Sequence, residues 1–314
     1  MKTLPLCCPC DYKSELKKHE NGYICKRSNC PHNDMSNAFF ETNGNPILIS
    51  EKLTDTVCDL NGYKSYVDRP YRKFDKLKKI LQGESKTTRI NCSEFLKLIL
   101  EKNKHPKVLV IGGAERGSGT EKLWKSEKLE IHSIDIYQTN SVDIICDAHY
   151  LPLMTNSYDG VWIQAILEHV VEPKKVVDEI YRVLKSDGIV YAETPFMQQV
   201  HEGAYDFTRF TVLGHRYLFK KFEAIEFGGN KGPELVLAWS IRYFFWALTR
   251  SRFMARLIGM AATLLLRPFS FLVSKRSLFD ASSGVFFLGR KRAGSTISHK
   301  ELVLLYQGMF KNSK

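Results

Sequence analysis

Five of the eight cysteines in this 314-residue chain fall within its first thirty residues. Cys7-x-x-Cys10 and Cys25-x-x-x-x-Cys30 offer four thiolates, and tetrahedral zinc takes four soft ligands. Clustered cysteines without a secretion signal point to metal and away from disulfides. The expected ligands are Cys7, Cys10, Cys25 and Cys30. The register at Cys7/Cys8 stays open, because Cys8 is the residue before the proline. A module that has lost its metal and packs as a small core is the alternative. A full set of four thiolates leaves no open position, so this Zn2+ would be structural. Cys58, Cys92 and Cys146 read as ordinary buried thiols.

A second group of polar residues recurs at the ends of apolar runs. Val108-Leu-Val-Ile111 opens into Gly112-Gly113-Ala-Glu-Arg-Gly117-Ser-Gly119. Glycines at a strand end let the backbone approach a ligand closely. Asp135 ends the next apolar run, where a carboxylate can accept both hydroxyls of a ribose. Asp147 ends the third, where it can accept from an adenine amino group. Each aspartate alone also reads as a strand-end turn residue.

The elements that must carry these residues follow from periodicity. Predicted strands are 108–111, 130–134, 142–145, 158–163 and 189–192, with further strands at 222–227 and 284–289. Pro173 to Leu184 is an amphipathic helix with Val176, Val177, Ile180, Val183 and Leu184 on one side. Two basic helices are expected before the first strand, at 71–81 and from Ser93 to Lys102, with Ser93 as cap. Alternation at this spacing implies an α/β fold with a doubly wound, mostly parallel seven-stranded sheet. In such sheets ligands bind beyond the carboxyl ends of the strands, at the switch in strand order. The expected organisation is a module at 1–50, a helical linker at 51–105, the α/β domain at 106–295 with a helical insertion at 235–275, and a tail at 296–314.

The motifs in order resemble the class I S-adenosylmethionine-dependent methyltransferases. They are Val108-Leu-Val-Ile-Gly-Gly113, Ile134-Asp135, Asp147-Ala-His-Tyr-Leu-Pro-Leu153, Tyr158-Asp-Gly-Val-Trp-Ile-Gln-Ala-Ile-Leu-Glu-His-Val170 and Glu179-Ile-Tyr-Arg-Val-Leu-Lys-Ser-Asp-Gly188. The subgroup is methyltransferase type 11, and the first fifty residues resemble the zinc ribbons found with many methyltransferases. The resemblance implies a Rossmann-like methyltransferase fold and S-adenosylmethionine as cofactor. It implies that Gly112 and Gly113 line the methionine part, Asp135 the ribose, and Asp147 with Ala148 the adenine. Gln164 would sit near the methionine amine or sulfonium. Val110 stands where many members have an acid, and Ala114 where they have another glycine.

The sulfonium methyl is already activated, so catalysis is mostly alignment of a nucleophile. A hydroxyl or amine acceptor also needs a proton acceptor. The candidates are Glu168 and His169, then His201, Asp206 and Arg209 in a block resembling one that related methyltransferases carry after the fifth strand. His169 also reads as a loop-ordering residue, and Asp206 with Arg209 as a pair that fixes the loop.

The formal net charge is +12, and from residue 235 onward thirteen Lys/Arg face two acids. That asymmetry points to an acidic partner surface or to a solvated basic face. No apolar run reaches the ~18 residues that cross a bilayer, so a cytoplasmic protein is expected. Segment 235–275 is apolar with an arginine stripe. It is expected to be a peripheral membrane contact, a cap over the substrate pocket or an oligomer contact. A small-molecule, glycan or lipid-linked acceptor fits best. An RNA methyltransferase is less favoured, since no Asn-Pro-Pro-Tyr motif or basic-aromatic platform is present. A catalytically inactive cofactor-binding protein is the third reading, left open by Val110 and Ala114.

Overall fold

The computed structural model describes residues 3–10, 13–20, 22–52, 55–58 and 85–311. The helix expected at 71–81 lies outside the described residues. The N-terminal part holds two small hairpins, β1 (Leu16–His19) with β2 (Gly22–Cys25), and β3 (Glu41–Thr42) with β4 (Asn45–Pro46). Helix α1 (Lys86–Leu100) follows. It begins seven residues before the expected Ser93, because Ser85 accepts from Thr88 N–H and caps the first turn. Ser93 instead bonds back to the Arg89 carbonyl inside the helix.

The main sheet has seven strands. They are β5 (Lys107–Ile111), β6 (Glu130–Asp135), β7 (Ile144–Ile145), β8 (Tyr158–Gln164), β9 (Leu184–Pro195), β10 (Phe222–Asn230) and β11 (Gly284–Lys291). Their order is β10-β11-β9-β8-β5-β6-β7, and β11 alone runs antiparallel to its neighbours. This is the doubly wound, mostly parallel, Rossmann-like methyltransferase architecture that the motifs implied. The central strands are buried on both faces, which is why they read as continuous apolar runs. Strand β7 is shorter than the expected 142–145. The Val142 carbonyl is taken by the Asn45 side chain instead of by a ladder.

Helices cover both faces. Helix α1 presses Phe95 and Ile99 onto Gly160 of β8, where a Cβ would come within 2.7 Å of the Phe95 ring. Trp162 of β8 stacks on Tyr191 of β9 at 4.0 Å between ring centroids. After the short α2 (Glu121–Trp124), α3 (Pro173–Val183) opens with Pro173 in its first turn and buries Val176, Val177, Ile180 and Val183. Helix α4 (Val212–Leu218) precedes β10.

Between β10 and β11 the chain forms a hairpin of α5 (Pro233–Thr249) and α6 (Arg252–Leu266). Small residues make the close approach. Ala238, Ala255, Gly259 and Ala262 are buried, and a Cβ on Gly259 would lie 2.8 Å from Arg242. A 3-10 turn, Arg267–Leu272, continues the run past Pro268, and α7 (Lys275–Ala281) and, beyond β11, α8 (His299–Leu304) complete the fold. The run Arg252–Leu272 is 21 residues long and apolar enough to cross a membrane by length and composition. The sequence expectation of no such stretch is corrected here. Helix and 3-10 turn join end to end across Arg267-Pro268.

The first fifty residues are built into the sheet. Ile47 pairs in parallel with Ile145 at the outer edge, and Leu48 N–H donates to the Ile145 carbonyl. Leu6 bridges Leu153, and Lys13 joins Glu179 at 3.0 Å and also reaches the Leu151 carbonyl. Cys8, Tyr23, Phe39 and Leu48 share one core cluster with Ile111, Ile144 and Val161. The short edge strand β7 is therefore covered and does not end the sheet in open ladder groups. Leu48→Ala should lower unfolding free energy by about 2–5 kcal/mol in a denaturant titration. If the module were an independent appendage, the transition of the α/β body would not move.

Candidate functional site

The strand order reverses between β5 and β8. The chain runs outward from β5 to β6 and β7, then returns to β8 on the other side. A crevice must open beyond the carboxyl ends there. A cavity of about 400 Å³ occupies it, walled by Ile111, Asp135, Asp147 and Gln164 from the four strand ends.

Gly112 turns the chain at the end of β5 with φ +81, a left-handed conformation that favours glycine. A Cβ there would meet Ile166 at 2.1 Å, so the backbone itself forms the cavity wall. Gly113, expected beside it, points away from the cavity. A Cβ on Gly113 would strike Ser133 at 1.8 Å, so this glycine serves the packing of the turn on β6. Gly117 approaches Gln164, whose amide donates to the Ser118 carbonyl at 3.3 Å. That contact pins the glycine loop to the end of β8. The next residue, Ala165, is held at φ 55, a backbone strain at a strand end of the kind found at ligand clamps.

The two aspartates differ in their environment. Asp135 accepts from Ala114 N–H at 2.9 Å and Ile136 N–H at 2.7 Å, which orients its carboxylate at the cavity rim. Asp147 is buried and accepts three bonds: from His149 N–H, from the His149 ring at 2.6 Å and from the Thr56 hydroxyl at 2.6 Å. Burial works to raise its pKa, but the hydrogen bonds from His149 and Thr56 outweigh it and hold the carboxyl low. A carboxylate has about four lone-pair sites, so one remains for an incoming amino group. Ala148 lines the cavity next to it. Thr56 and Tyr137, a neighbour of Asp135 on the cavity wall, were not singled out from sequence. Thr56 lies 91 residues from Asp147, and no local signal links them.

At the other end of the cavity stand His169, His201, Glu202 and Tyr205. Glu168 is fully buried beside them, and burial pushes its pKa up to about 8. Burial lowers the pKa of His169 and His201, partly offset by the Tyr205 carbonyl for the first and by Asp206 for the second. Asp206 and Arg209 make a two-pronged ion pair. Arg209 also donates to the Gln198 carbonyl, and Asp206 accepts from His201 N–H. These two residues fix the 197–210 loop. Their donors and acceptors are used within it, so neither is free to move a proton for an acceptor.

The cysteine cluster lies away from this cavity. The structure brings Cys8, Cys10, Cys25 and Cys30 together, their sulfurs all within 4.8 Å of one another. Cys7 is not in the set, which corrects the expected register. Side chains alternate along an extended segment, and Cys7 is held there by its N–H bond to the Pro152 carbonyl and its bridge to Glu15. Its thiol therefore faces the α/β body, where Arg182 and Lys13 lie, and burial raises its pKa to about 11. Cys8 and Cys30 sulfurs are 3.8 Å apart. Two sulfurs bound at ~2.3 Å to tetrahedral zinc are separated by ~3.8 Å, so the donor set fits that ion.

Residues 113–192 match the model of a family described as a methyltransferase domain. Over those residues the chain is similar to a methyltransferase domain. The matched segment runs from the glycine turn to the middle of β9 and contains Asp135, Asp147, Gln164, Glu168 and His169. Similar solved structures include a SAM dependent methyltransferase from Archaeoglobus fulgidus, 16% identical, with 70% of this chain and 100% of that one covered and a TM-score of 0.44. Another is the Haemonchus contortus phosphoethanolamine N-methyltransferase 2 in complex with S-adenosyl-L-methionine, at 17% identity, 64% and 52% coverage and a TM-score of 0.41. A third is the Burkholderia thailandensis 1,6-didemethyltoxoflavin-N1-methyltransferase, at 12% identity, 70% and 84% coverage and a TM-score of 0.40. No curated protein matches the chain in sequence.

Proposed function

We propose that this protein transfers a methyl group from S-adenosylmethionine to a small-molecule, glycan or lipid-linked acceptor. The observation that carries the reading is the cavity at the switch point, walled by Gly112 and, within the family-matched segment, by Asp135, Asp147 and Gln164. The cofactor supplies a methyl group on a positively charged sulfur, already activated for attack. Gly112 lets the methionine part lie against bare backbone. Asp135 is oriented to accept from the ribose hydroxyls, and Asp147 with Ala148 receives the adenine edge. Gln164 fixes the glycine loop and faces the methionine end. Val110 is buried within β5 and Ala114 donates its N–H to Asp135, so both departures from the family pattern leave the cavity open.

The Cys8, Cys10, Cys25 and Cys30 cluster holds a structural Zn2+ in this reading. The ion ties the two cysteine loops to the hairpin that covers the sheet edge.

The acceptor is drawn from, or held near, an anionic membrane surface. Helix α6 and the turn after it expose Phe253, Leu257, Leu264, Leu265, Phe269 and Phe271, the last at 81%. Helix α5 adds Phe244 and Leu248. Exposed Arg252, Arg256 and Arg267 stand among them. Apolar groups flanked by arginines suit the boundary between headgroups and acyl chains. The same hairpin touches the loop over the cavity, because Tyr243 donates to the Val200 carbonyl and Gln199 to Ser240.

Three measurements follow. Calorimetry should show S-adenosylmethionine binding to the wild type, with Asp135→Ala weakening it at least about tenfold, the loss of ~1.4 kcal/mol from a charge-assisted contact. No binding by the wild type would overturn the enzyme reading. Metal analysis should find the zinc content of the wild type retained in Cys7→Ser and lowered by one equivalent in Cys8→Ser, and equal zinc in both would return the ligand set to an undecided register. Co-sedimentation with anionic vesicles should fall sharply in a Phe253→Asp/Leu265→Asp/Phe271→Asp variant and with rising salt. Sedimentation insensitive to both would end the membrane reading.

A further inference from the structure

Behind the wall at the acceptor end of the cavity lies a buried carboxylate with no explanation in the fold. Glu168 is fully buried, and neither of its oxygens has a hydrogen-bond partner among the described residues. Leaving such a group unpaired costs on the order of 1–3 kcal/mol, more if charged. The nearby guanidinium of Arg209 acts on it through space but gives it no hydrogen bond. Arg209 is occupied by Asp206 and by the Gln198 carbonyl. What does face Glu168 is a pair of imidazoles. One ligand atom from each of Glu168, His169 and His201 can be chosen so that all lie within 4.8 Å of one another. The two rings meet edge to face at 5.0 Å.

The orientation of those rings is informative. His169 Nδ1 lies 2.6 Å from the Tyr205 carbonyl, which fixes its proton on that nitrogen. Nε2 is left as a bare lone pair, 3.5 Å from Glu168 Oε1. His201 Nδ1 makes a 3.2 Å ion-pair contact with an Asp206 oxygen. A metal-binding histidine almost always gives its other N–H to a carbonyl or carboxylate. The 3.5 Å gap is too long for a hydrogen bond. It is close to the ~3.4 Å between two N/O ligands at ~2.1 Å on one tetrahedral ion.

We propose that Glu168, His169 and His201 form a second metal site, which binds a divalent cation of the zinc type at the mouth of the cavity. Two imidazoles and one carboxylate suit zinc and its first-row neighbours better than magnesium or calcium. Three protein ligands leave a position open toward the cavity, as catalytic sites do and the four-cysteine site does not. The cation also neutralises the buried carboxylate. Its catalytic consequence rests on the methyltransferase reading, although cation binding itself does not. An acceptor hydroxyl held at the open position loses its proton to water more readily. Its oxygen then forms the bond to the methyl carbon as the carbon–sulfur bond breaks, and sulfur keeps the electron pair.

The test is a Co2+ titration of metal-free full-length protein, followed by absorption, with S-adenosylmethionine binding measured in parallel by calorimetry. The wild type should take up cobalt in two classes. One shows the intense thiolate-to-cobalt charge-transfer band, and the other shows weak ligand-field bands alone. Cys8→Ser should remove the first class. His201→Ala and Glu168→Gln should each remove the second and leave the thiolate band intact, which also shows that the variants are folded. Uptake of thiolate-bound cobalt only, or a second class that survives His169→Ala/His201→Ala, overturns the site. A second class present in a wild type that fails to bind S-adenosylmethionine supports the site while removing the methyltransferase reading.

Discussion

The constraint on which the rest depends is the placement of β5 at the middle of a parallel sheet. Its residues Val108, Leu109, Val110 and Ile111 are buried on both faces, so the strand cannot shift without exposing them. Every parallel strand then delivers its carboxyl end to the same side. The order reversal beside β5 keeps any connection from crossing that point. The cavity is a consequence of topology, and Gly112 at φ +81 keeps backbone, not side chain, at its floor. Asp135 and Asp147 inherit their positions from β6, whose register is locked to β5, and from β7, whose register is locked to β6.

How much of this was legible follows from what kind of signal each residue carries. The strands and α3 were readable because burial on two faces, or on one helical stripe, imposes a local period. Their order was implied by alternation and the switch-point rule. The start of α1 was not, because Lys86-Thr-Thr-Arg89 has no apolar period and its cap is one serine among several. The Cys7/Cys8 choice turns on which face of an extended strand meets the α/β body, and two adjacent cysteines offer both faces. The resemblance implied Gly113 as a cavity residue together with Gly112. The two glycines relieve different clashes, one with Ile166 and one with Ser133, and only packing separates them. Thr56 on Asp147 and Lys13 on Glu179 are contacts between distant parts of the chain that no local window holds.

The first fifty residues and the sheet edge illustrate a second dependence. Strand β7 makes only two residue pairs with β6, which is little to hold the aspartate that follows it. The Ile47 bridge and the Leu48 bond on its outer side supply what the ladder lacks. The cysteine cluster in turn holds the loops from which that segment descends. Packing around the four cysteines thereby bears on the geometry at Asp147.

The helical hairpin poses the opposite case, a surface whose energy is unfavourable in water. Phe253, Leu264, Leu265 and Phe271 are each more than half exposed along one run. Each such side chain, once covered, gains on the order of 1.5–3 kcal/mol. The hairpin interior cannot provide the cover, because it is already filled by Ala255, Gly259 and Ala262 against α5. The arginines argue for the kind of cover. An oligomer core tends to exclude charge, whereas Arg252, Arg256 and Arg267 at intervals along the exposed run are compatible with a boundary where headgroup phosphates meet acyl chains. Tyr243 joins that surface to the Val200 carbonyl in the loop that carries His201. The position of the hairpin and the order of the loop at that end of the cavity are therefore coupled.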